Sequence, residues 1–245
     1  MRFRWACLLL LAIPAIPSAA EPGLTISVNN SRPLAAIADE LERRYPIVVT
    51  YEEGEWVSPD DLELADRFPI MIPRKAAITF HYPRPADGGT VAVADVLTEL
   101  LFQYHAAEAP GRFRLEGSNG LYHLIPAQFK DYKCDWQAPW LVLDTKVYLE
   151  EKERTVNDTL DEIIIQLNES SPLKTGWGFV PLNLFVQNRV RIGADGIPAR
   201  EVLRRIVQQV PRRVTWRLMY DPTTVRYYLS FVLNTSAPTH DEPSN

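Results

Sequence analysis

The sequence predicts an α+β protein built from two tandem modules, each with a small mixed sheet and two amphipathic helices. Three observations support this fold class. Short segments that alternate apolar and polar residues predict half-buried strands, four longer segments carry an apolar stripe at helical spacing, and both kinds of segment recur in the same order. The predicted modules span residues 21–128 and 141–234, and a linker at 129–140 joins them.

The first module begins with a strand that leads into an amphipathic helix. Leu24–Val28 alternates apolar and polar residues, Ser31 is a candidate helix cap, and Pro33 suits the first helical turn, where its missing N–H is not needed. Pro46 ends this helix because proline cannot continue it. The remaining predicted elements follow in chain order. They are the strand Ile47–Tyr51, the excursion Glu52–Lys75 with little regular structure, the strand Ala77–Tyr82, the turn Ala86–Thr90, the helix Val93–Ala106, and the hairpin of Arg112–Leu115 with Leu121–Ile125.

The second module repeats this order. Thr155 is a candidate cap three residues before Asp158, close to a capping box, and the helix Pro198–Val210 carries the clearest apolar stripe. That stripe matches the corresponding helix of the first module at a constant offset: Val202-Leu203 and Ile206-Val207 against Val96-Leu97 and Leu100-Leu101. The other predicted elements are Thr145–Leu149, Ser170–Pro181 (a loop), Leu184–Ile192, Gly193–Gly196 (a turn), and the hairpin Thr215–Tyr220 with Arg226–Val232. Divergent duplication explains the repeat, and two independent α+β units remain the alternative.

The two ends of the chain are expected to lie outside the modules. Residues 1–20 combine Arg2 and Arg4, a short apolar run and small residues before Glu21, a pattern typical of a cleaved signal peptide. An uncleaved anchor is the alternative, but the run is shorter than the ~20 apolar residues that a membrane span needs. Residues 235–245 lack core-forming side chains and are expected to be disordered. We therefore expect a periplasmic or secreted protein with no transmembrane segment after cleavage.

The charge balance argues against a nucleic-acid partner. Loss of residues 1–20 reduces the 26 basic side chains to 24, because Arg2 and Arg4 are removed, and leaves all 31 acidic side chains. Phosphate binding requires a basic surface. An acidic mature chain therefore indicates a different class of partner.

No grouping of residues predicts catalysis, a metal site or a cofactor. Cys134 is the single cysteine left after cleavage, which excludes an internal disulfide. It is expected to be a partly buried, unreactive thiol, because cysteine packs as a small hydrophobe, and pairing with another chain is the alternative. A nucleophilic cysteine would need a base, and the four histidines are scattered along the chain with none positioned for that role. An acidic group occurs in the first excursion, but its spacing does not fit an EF-hand: Asp60, Asp61, Glu63 and Asp66.

Four aromatic residues are the candidate partner-binding residues. Trp136 and Trp140 lie in the linker, whose aromatic content indicates that it packs on a module surface. Trp177 and Phe179 lie in a glycine-rich turn that could present an aromatic ring to a sugar or a peptide. The alternative for this turn is a tryptophan that covers the edge of the core, since Trp is usually well buried.

The first module resembles the short N-terminal domain of bacterial secretins and TonB-dependent receptors. The resemblance rests on four segments. They are the strand Ile26–Asn29 that ends in asparagine, the helix Pro33–Leu41 with its Pro-Leu start, the following strand Ile47–Tyr51, and the second helix Val93–Leu101. It extends weakly to the second module. The glycine that usually follows the first helix is replaced by Arg44-Tyr45-Pro46, and the Glu52–Lys75 excursion is longer than in that family. The resemblance implies a periplasmic module that binds a protein of the cell envelope.

The resulting expectation is a non-enzymatic interaction or scaffold protein. A secreted hydrolase with a site between the modules is the alternative. That alternative requires the acids of the first excursion to converge in a pocket that faces the second module.

Overall fold

The computed structural model of this chain describes residues 23–83 and 92–234. It confirms the α+β class, with five α-helices and 13 strands in the described residues. The predicted signal peptide, the predicted turn Ala86–Thr90 and the predicted tail 235–245 lie outside the described residues.

The elements alternate along the chain. The helices are α1 (Pro33–Arg44), α2 (Val93–Ala106), α3 (Val156–Ser170), α4 (Leu182–Gln187) and α5 (Ala199–Gln209). The strands are β1 (Leu24–Asn30), β2 (Val48–Glu52), β3 (Leu62–Leu64), β4 (Met71–Pro73), β5 (Ala76–Tyr82), β6 (Arg112–Ser118), β7 (Leu121–Lys130), β8 (Trp136–Gln137), β9 (Lys146–Thr155), β10 (Lys174–Trp177), β11 (Arg189–Pro198), β12 (Val214–Asp221) and β13 (Arg226–Leu233).

A mixed central sheet has the strand order β10-β13-β12-β2-β7-β6, and β8 pairs with the end of β7. Two antiparallel pairs, β1 with β5 and β9 with β11, form separate small sheets. Helix α1 contacts both β1 and β2, and α3 contacts both β9 and β10, so these helices lie between a small sheet and the central sheet. Their apolar stripes are buried there, as amphipathic helices require.

The two halves of the chain use the same strand pairings. Before residue 131, β1 is antiparallel to β5, β2 is parallel to β7, and β7 is antiparallel to β6. After residue 145, β9 is antiparallel to β11, β10 is parallel to β13, and β13 is antiparallel to β12. The predicted hairpins and the burial of both matched helical stripes are confirmed.

Several local predictions are corrected by the structure. The segment predicted as the strand Leu184–Ile192 begins with helix α4, and its strand starts only at Arg189. The predicted turn Gly193–Gly196 lies inside β11, where two register shifts absorb the glycines as bulges. The excursion Glu52–Lys75 contains the short hairpin β3–β4, and the predicted linker contributes to β7 and β8.

The helix starts show which capping predictions were right. The Thr155 hydroxyl accepts a hydrogen bond from the Asp158 N–H, which confirms this cap. Ser31 does not cap α1, since the helix starts after Arg32 without a side-chain cap, while the Asn30 side chain accepts from the Arg32 N–H. Pro33 occupies the first turn as predicted.

The strands of the two predicted modules meet in one parallel seam between β12 and β2. Arg217 lies opposite Tyr51, and Leu218 lies opposite Glu52. The central sheet therefore continues from one half of the chain into the other.

A buried guanidinium holds the seam together. The Arg217 side chain is 2% exposed, and its Nη1 donates to the Val49 carbonyl at 2.5 Å. Its Nη2 donates to Asp39 at 2.5 Å and to Glu42 at 3.2 Å. Burial raises the pKa of Glu42, while the Arg217 charge and the Val49 N–H act in the opposite direction. The two carboxylates that bind this guanidinium, Asp39 and Glu42, thus both belong to the first half of the chain.

Two further ion pairs flank Arg217 along the seam. Arg200, in the first turn of α5, donates twice to the Glu52 carboxylate at 2.7 Å, a bidentate contact. Glu53 accepts from Arg32 at 2.7 Å and from the Tyr220 N–H at 2.7 Å. The Glu53 carboxylate thereby accepts the hydrogen bond from the Tyr220 N–H that a carbonyl of a neighbouring strand would otherwise accept.

Arg217→Ala is expected to lower the free energy of unfolding by about 3–5 kcal/mol, because it leaves Glu42 buried without its partner. The matched control is Arg114→Ala, an arginine of β6 that is exposed. It is expected to cost less than about 1 kcal/mol. Urea unfolding of both variants measures the difference. Equal losses would contradict the role of the seam.

A second prediction concerns His123 of β7, which lies beside the seam. Its Nδ1 is 2.7 Å from the Thr50 hydroxyl, and its ring stacks on Trp216 with centroids 5.2 Å apart. Burial lowers the pKa of His123 from 6.5 to about 4. Between these values the unfolded chain takes up a proton that the folded protein does not, so this group lowers stability as the pH falls through the window, by up to about 3 kcal/mol.

His123→Gln, which does not titrate, is expected to flatten that part of the pH profile in urea unfolding. His81→Gln, at an exposed histidine of β5, is the control and is expected to leave the profile unchanged. Parallel profiles for the wild type and His123→Gln would contradict the prediction.

Candidate interaction surfaces

One end of the central sheet is strand β10, which pairs with β13 and with no other described strand. Its middle is already occupied by a side chain from α3. The Asn168 amide accepts from the Thr175 N–H at 2.7 Å and donates to the Thr175 carbonyl at 2.9 Å. Asn168 therefore blocks Thr175 as a site for strand pairing. Further along, the N–H groups of Gly178 and Phe179 already donate to the Leu229 carbonyl and the Ser230 hydroxyl, so the edge is open at Trp177.

Exposed apolar side chains follow this open position. Phe179 is 67% exposed, and Leu182 and Val186 lie one helical turn apart on α4 with more than half of their surface exposed. We call these three residues the β10 patch. Trp177 is half-buried, and its indole N–H donates to the Asp161 carboxylate at 3.0 Å. A backbone edge beside an apolar surface is the arrangement that strand addition uses.

The opposite end of the sheet is strand β6. Its exposed charged side chains lie at every second position of the strand, two cationic and one anionic: Arg112, Arg114 and Glu116. Arg114 donates to Glu116 at 2.9 Å and to the Pro126 carbonyl at 3.2 Å. The Phe113 N–H donates to His105 Nε2 at 3.1 Å, so here too a helix side chain occupies part of the edge. Charged residues on an edge strand restrain unspecific pairing.

A polar cavity of about 530 Å³ lies near β6 and contains Trp136. The Arg112 guanidinium lies 4.4 Å from the centre of a Trp136 ring, and Lys130 lies 5.7 Å away, which are cation–π distances. The charged residues of its lining are Asp60, Asp61, Arg74, Glu108, Arg112 and Lys130. The cavity is thus lined by three anionic and three cationic side chains.

Two adjacent carboxyls of this cavity titrate differently. Hydrogen bonds from Cys134 and Lys130 lower the pKa of Asp60, whereas burial raises the pKa of Asp61. Asp61 Oδ2 is buried without a hydrogen-bond partner among the described residues. Burial also lowers the pKa of His105 at the cavity wall. Groups with opposite pKa shifts in one cavity are a feature of acid–base sites and of structural ion-pair networks alike.

The acids of the first excursion do not all converge. Asp60 and Asp61 line the Trp136 cavity, whereas Glu63 lies on β3 and Asp66 forms an exposed ion pair with Lys75. The lining residues of the cavity fall between residues 60 and 136, so the cavity belongs to the first predicted module and the linker. Within residues 23–83 and 92–234, no three His, Cys, Asp or Glu side chains are grouped as a metal site would need.

Cys134 lies beside this cavity as a free, half-buried thiol. The Ser58 hydroxyl donates to its Sγ at 3.5 Å. The residue has a φ of +66° in a turn closed by a hydrogen bond from its N–H to the Asp131 carbonyl. This left-handed backbone conformation matches the position that Cys134 occupies in the turn.

The four predicted partner-binding aromatics fall into two separate groups. Trp136 lies in the polar cavity, and Trp140 is half exposed between cavities of about 550 and 170 Å³. Trp177 and Phe179 lie at the other end of the central sheet, at β10. The structure therefore does not bring the four together. Sequence reasoning missed Asn168, Leu182 and Val186. Leu182 and Val186 stand in a largely apolar run with Val180, Leu184 and Phe185, and such a run does not show which of its side chains are exposed.

Comparison with protein-family models, with curated proteins and with solved structures finds no match for this chain. Among the described helices, none has both the length and the apolar character needed to cross a bilayer.

Proposed function

We propose that the protein is a non-enzymatic interaction scaffold of the cell envelope, periplasmic or secreted, built from two related modules. The observation that carries the proposal is the open edge of β10 beside the β10 patch. The localisation is supported by residues 1–20, and the relation between the modules by their shared strand pairings. A kinship with the short N-terminal domain of secretins and TonB-dependent receptors belongs to the same proposal.

The partner is expected to add an extended segment to the sheet. Asn168 blocks Thr175, and the Gly178 N–H donates to the Leu229 carbonyl, so the backbone groups available for pairing are those of Trp177. An apolar side chain of the partner then covers Phe179. Burial of one large apolar side chain contributes about 1.5–3 kcal/mol, which is roughly tenfold or more in affinity. Backbone pairing provides register, and the patch provides selectivity.

Phe179→Asp is expected to reduce capture of a discrete envelope protein on immobilised protein by roughly tenfold or more. The control is Phe68→Asp, because Phe68 is 65% exposed in the segment between β3 and β4, close to the 67% of Phe179. A photo-crosslinking amino acid at position 179 should form an adduct with the captured protein, and the same group at position 68 should not. Equal capture by both variants would reject the β10 edge as the binding site.

A second candidate function is hydrolysis at the Trp136 cavity. The observation that favours it is the opposite pKa shift of the neighbouring carboxyls Asp60 and Asp61. In that function a protonated Asp61 would act as the acid and ionised Asp60 as the base.

Asp61→Asn tests this second function in a panel of hydrolase substrates. If the protein is a hydrolase of this kind, the variant loses at least about 100-fold in turnover, while Asp66→Asn, outside the cavity, retains full activity. Absence of turnover by the wild type above a heat-inactivated control would reject it.

A further inference from the structure

Strands β6 and β12 hold equivalent places in the two halves of the chain. Each is the first strand of a hairpin whose second strand pairs in parallel with β2 or with β10. Alignment of the closing pairs, Ser118 with Leu121 and Asp221 with Arg226, places Phe113-Arg114-Leu115 on Trp216-Arg217-Leu218. The aromatic ring is buried in both triplets. Arg217 is buried because β2 covers β12, and Arg114 is exposed where no described strand covers β6.

Strands β2 and β10 also hold equivalent places. The alignment starts from two equivalent pairs, because Val48 pairs with Leu121 as Lys174 pairs with Arg226. It then equates Val49 with Thr175, Tyr51 with Trp177, Glu52 with Gly178, and Glu53 with Phe179. In both strands a side chain from the preceding helix occupies the same backbone N–H. Glu42 accepts from Val49, and Asn168 accepts from Thr175. In β2 the residues Tyr51 and Glu52, which follow Val49, are not blocked in this way, and they are the residues that pair with β12.

We infer that a second copy of this chain binds at the β10 edge with its β6 strand, so that the β12–β2 seam recurs between molecules. The inference rests on the proposed function, because it names the partner of the β10 edge. The two surfaces that would meet correspond, strand for strand, to two surfaces that already meet inside one molecule. Arg114 of one copy lies opposite Trp177 of the other, and Leu115 lies opposite Gly178.

The backbone of β6 can make this contact. The Phe113 N–H points away from β7 and donates to His105. Because backbone groups alternate in direction along a strand, the N–H and carbonyl of Leu115 point to the same open side. They correspond to those of Leu218, whose carbonyl accepts from the Glu53 N–H in the seam. The equivalent N–H, that of Phe179, already donates to the Ser230 hydroxyl at 3.1 Å, so the contact between copies relies on the Leu115 N–H and the Trp177 carbonyl.

The side chains of the two edges are complementary in this register. Arg217 binds Asp39 of α1 in the seam. At the β10 edge the acidic group beside the position that Arg114 of the second copy faces is Asp161 of α3, a half-buried carboxylate that accepts from the Trp177 indole at 3.0 Å. Glu53 contacts the backbone of Tyr220, whose equivalent in β6 is Gly117. Phe179 therefore lies over a glycine, where no side chain obstructs its ring.

A second apolar contact forms beside the strands. Gln208 of α5, Val48 and the Asn119–Leu121 turn line one cavity beside the seam. Its equivalent in α2 is Phe102, which is exposed, and the equivalent turn contains Val225, which is also exposed. The head-to-tail contact covers both. Four exposed residues thus gain partners: Phe102, Arg114, Phe179 and Val225.

The contact between copies is weaker than the internal seam. Glu52 and Arg200, which form a bidentate ion pair in the seam, are replaced by Gly178 and Ala94 at the equivalent positions. The contact is heterologous, so each added copy leaves one β6 edge and one β10 edge open, and assembly continues beyond a dimer.

Sedimentation velocity of the purified protein over a wide range of concentration tests the inference. The wild type is expected to form dimers and then larger species as the concentration rises. Phe179→Asp disables the β10 edge and Arg114→Glu disables the β6 edge by placing like charge opposite Asp161. Each is expected to weaken association at least tenfold when alone. Mixed together they should form a 1:1 complex and nothing larger, because each supplies the edge that the other lacks.

Phe68→Asp is the control and should associate like the wild type, and circular dichroism verifies that the variants are folded. A wild type that stays monomeric at every concentration would overturn the inference, as would Phe179→Asp associating normally or a mixture that forms no complex. If the wild type stays monomeric but position 179 crosslinks to a different envelope protein, the proposed function stands and only the second copy is rejected. If neither occurs, both fail.

Discussion

The buried guanidinium of Arg217 is the interaction on which the architecture depends. It belongs to the second half of the chain, yet Asp39, Glu42 and the Val49 carbonyl, all from the first half, compensate its charge. An unpaired buried charge is so costly that the two halves cannot separate in the sheet without exposing or neutralising these groups. The seam therefore fixes the register of β12 on β2 and makes one continuous sheet from two similar sets of strands.

The same physics explains the difference between the covered and the open edges. The seam uses charged side chains in place of several backbone contacts, since β2 and β12 pair directly at only two positions. Such ion pairs contribute specificity more than stability. The open edges are restrained in a related way, because Asn168 occupies part of β10, and His105 with the charged side chains of β6 occupies part of the other. Each edge retains a short accessible stretch of backbone, to which the proposed partner would bind.

Sequence patterns predicted the elements that are stabilised locally. The stripes of α2 and α5 are continuous over several turns, and the cap at Thr155 depends only on neighbouring residues. Helix α4 escaped prediction because the apolar run Leu184–Val186 continues into the alternating residues of β11, and only Phe185 of this short helix is buried. Arg217 could not be identified, since a charged residue in a strand normally indicates the exposed face and its partners lie more than 160 residues away.

The candidate surfaces were predictable only in part, for the same reason. Trp177 and Phe179 were selected as aromatic residues near glycine, but their place on an open edge follows from the strand order of the sheet. Trp136 and Trp140 were selected together with them and lie at the other end. Proximity in such a fold arises from pairings between distant strands, which a hydrophobic pattern does not encode.

The residues that distinguish the halves lie where the edges are covered or open. Positions that carry Glu52, Glu53 and Arg200 at the covered seam carry Gly178, Phe179 and Ala94 at the open edges. A permanent internal joint tolerates buried ion pairs, because both partners are held by one chain and are desolvated once, on folding. A surface that must remain soluble before it binds cannot keep unpaired charges ready for burial at low cost. An aromatic side chain beside a glycine avoids that desolvation, which accounts for an apolar edge outside and a charged seam inside the same fold.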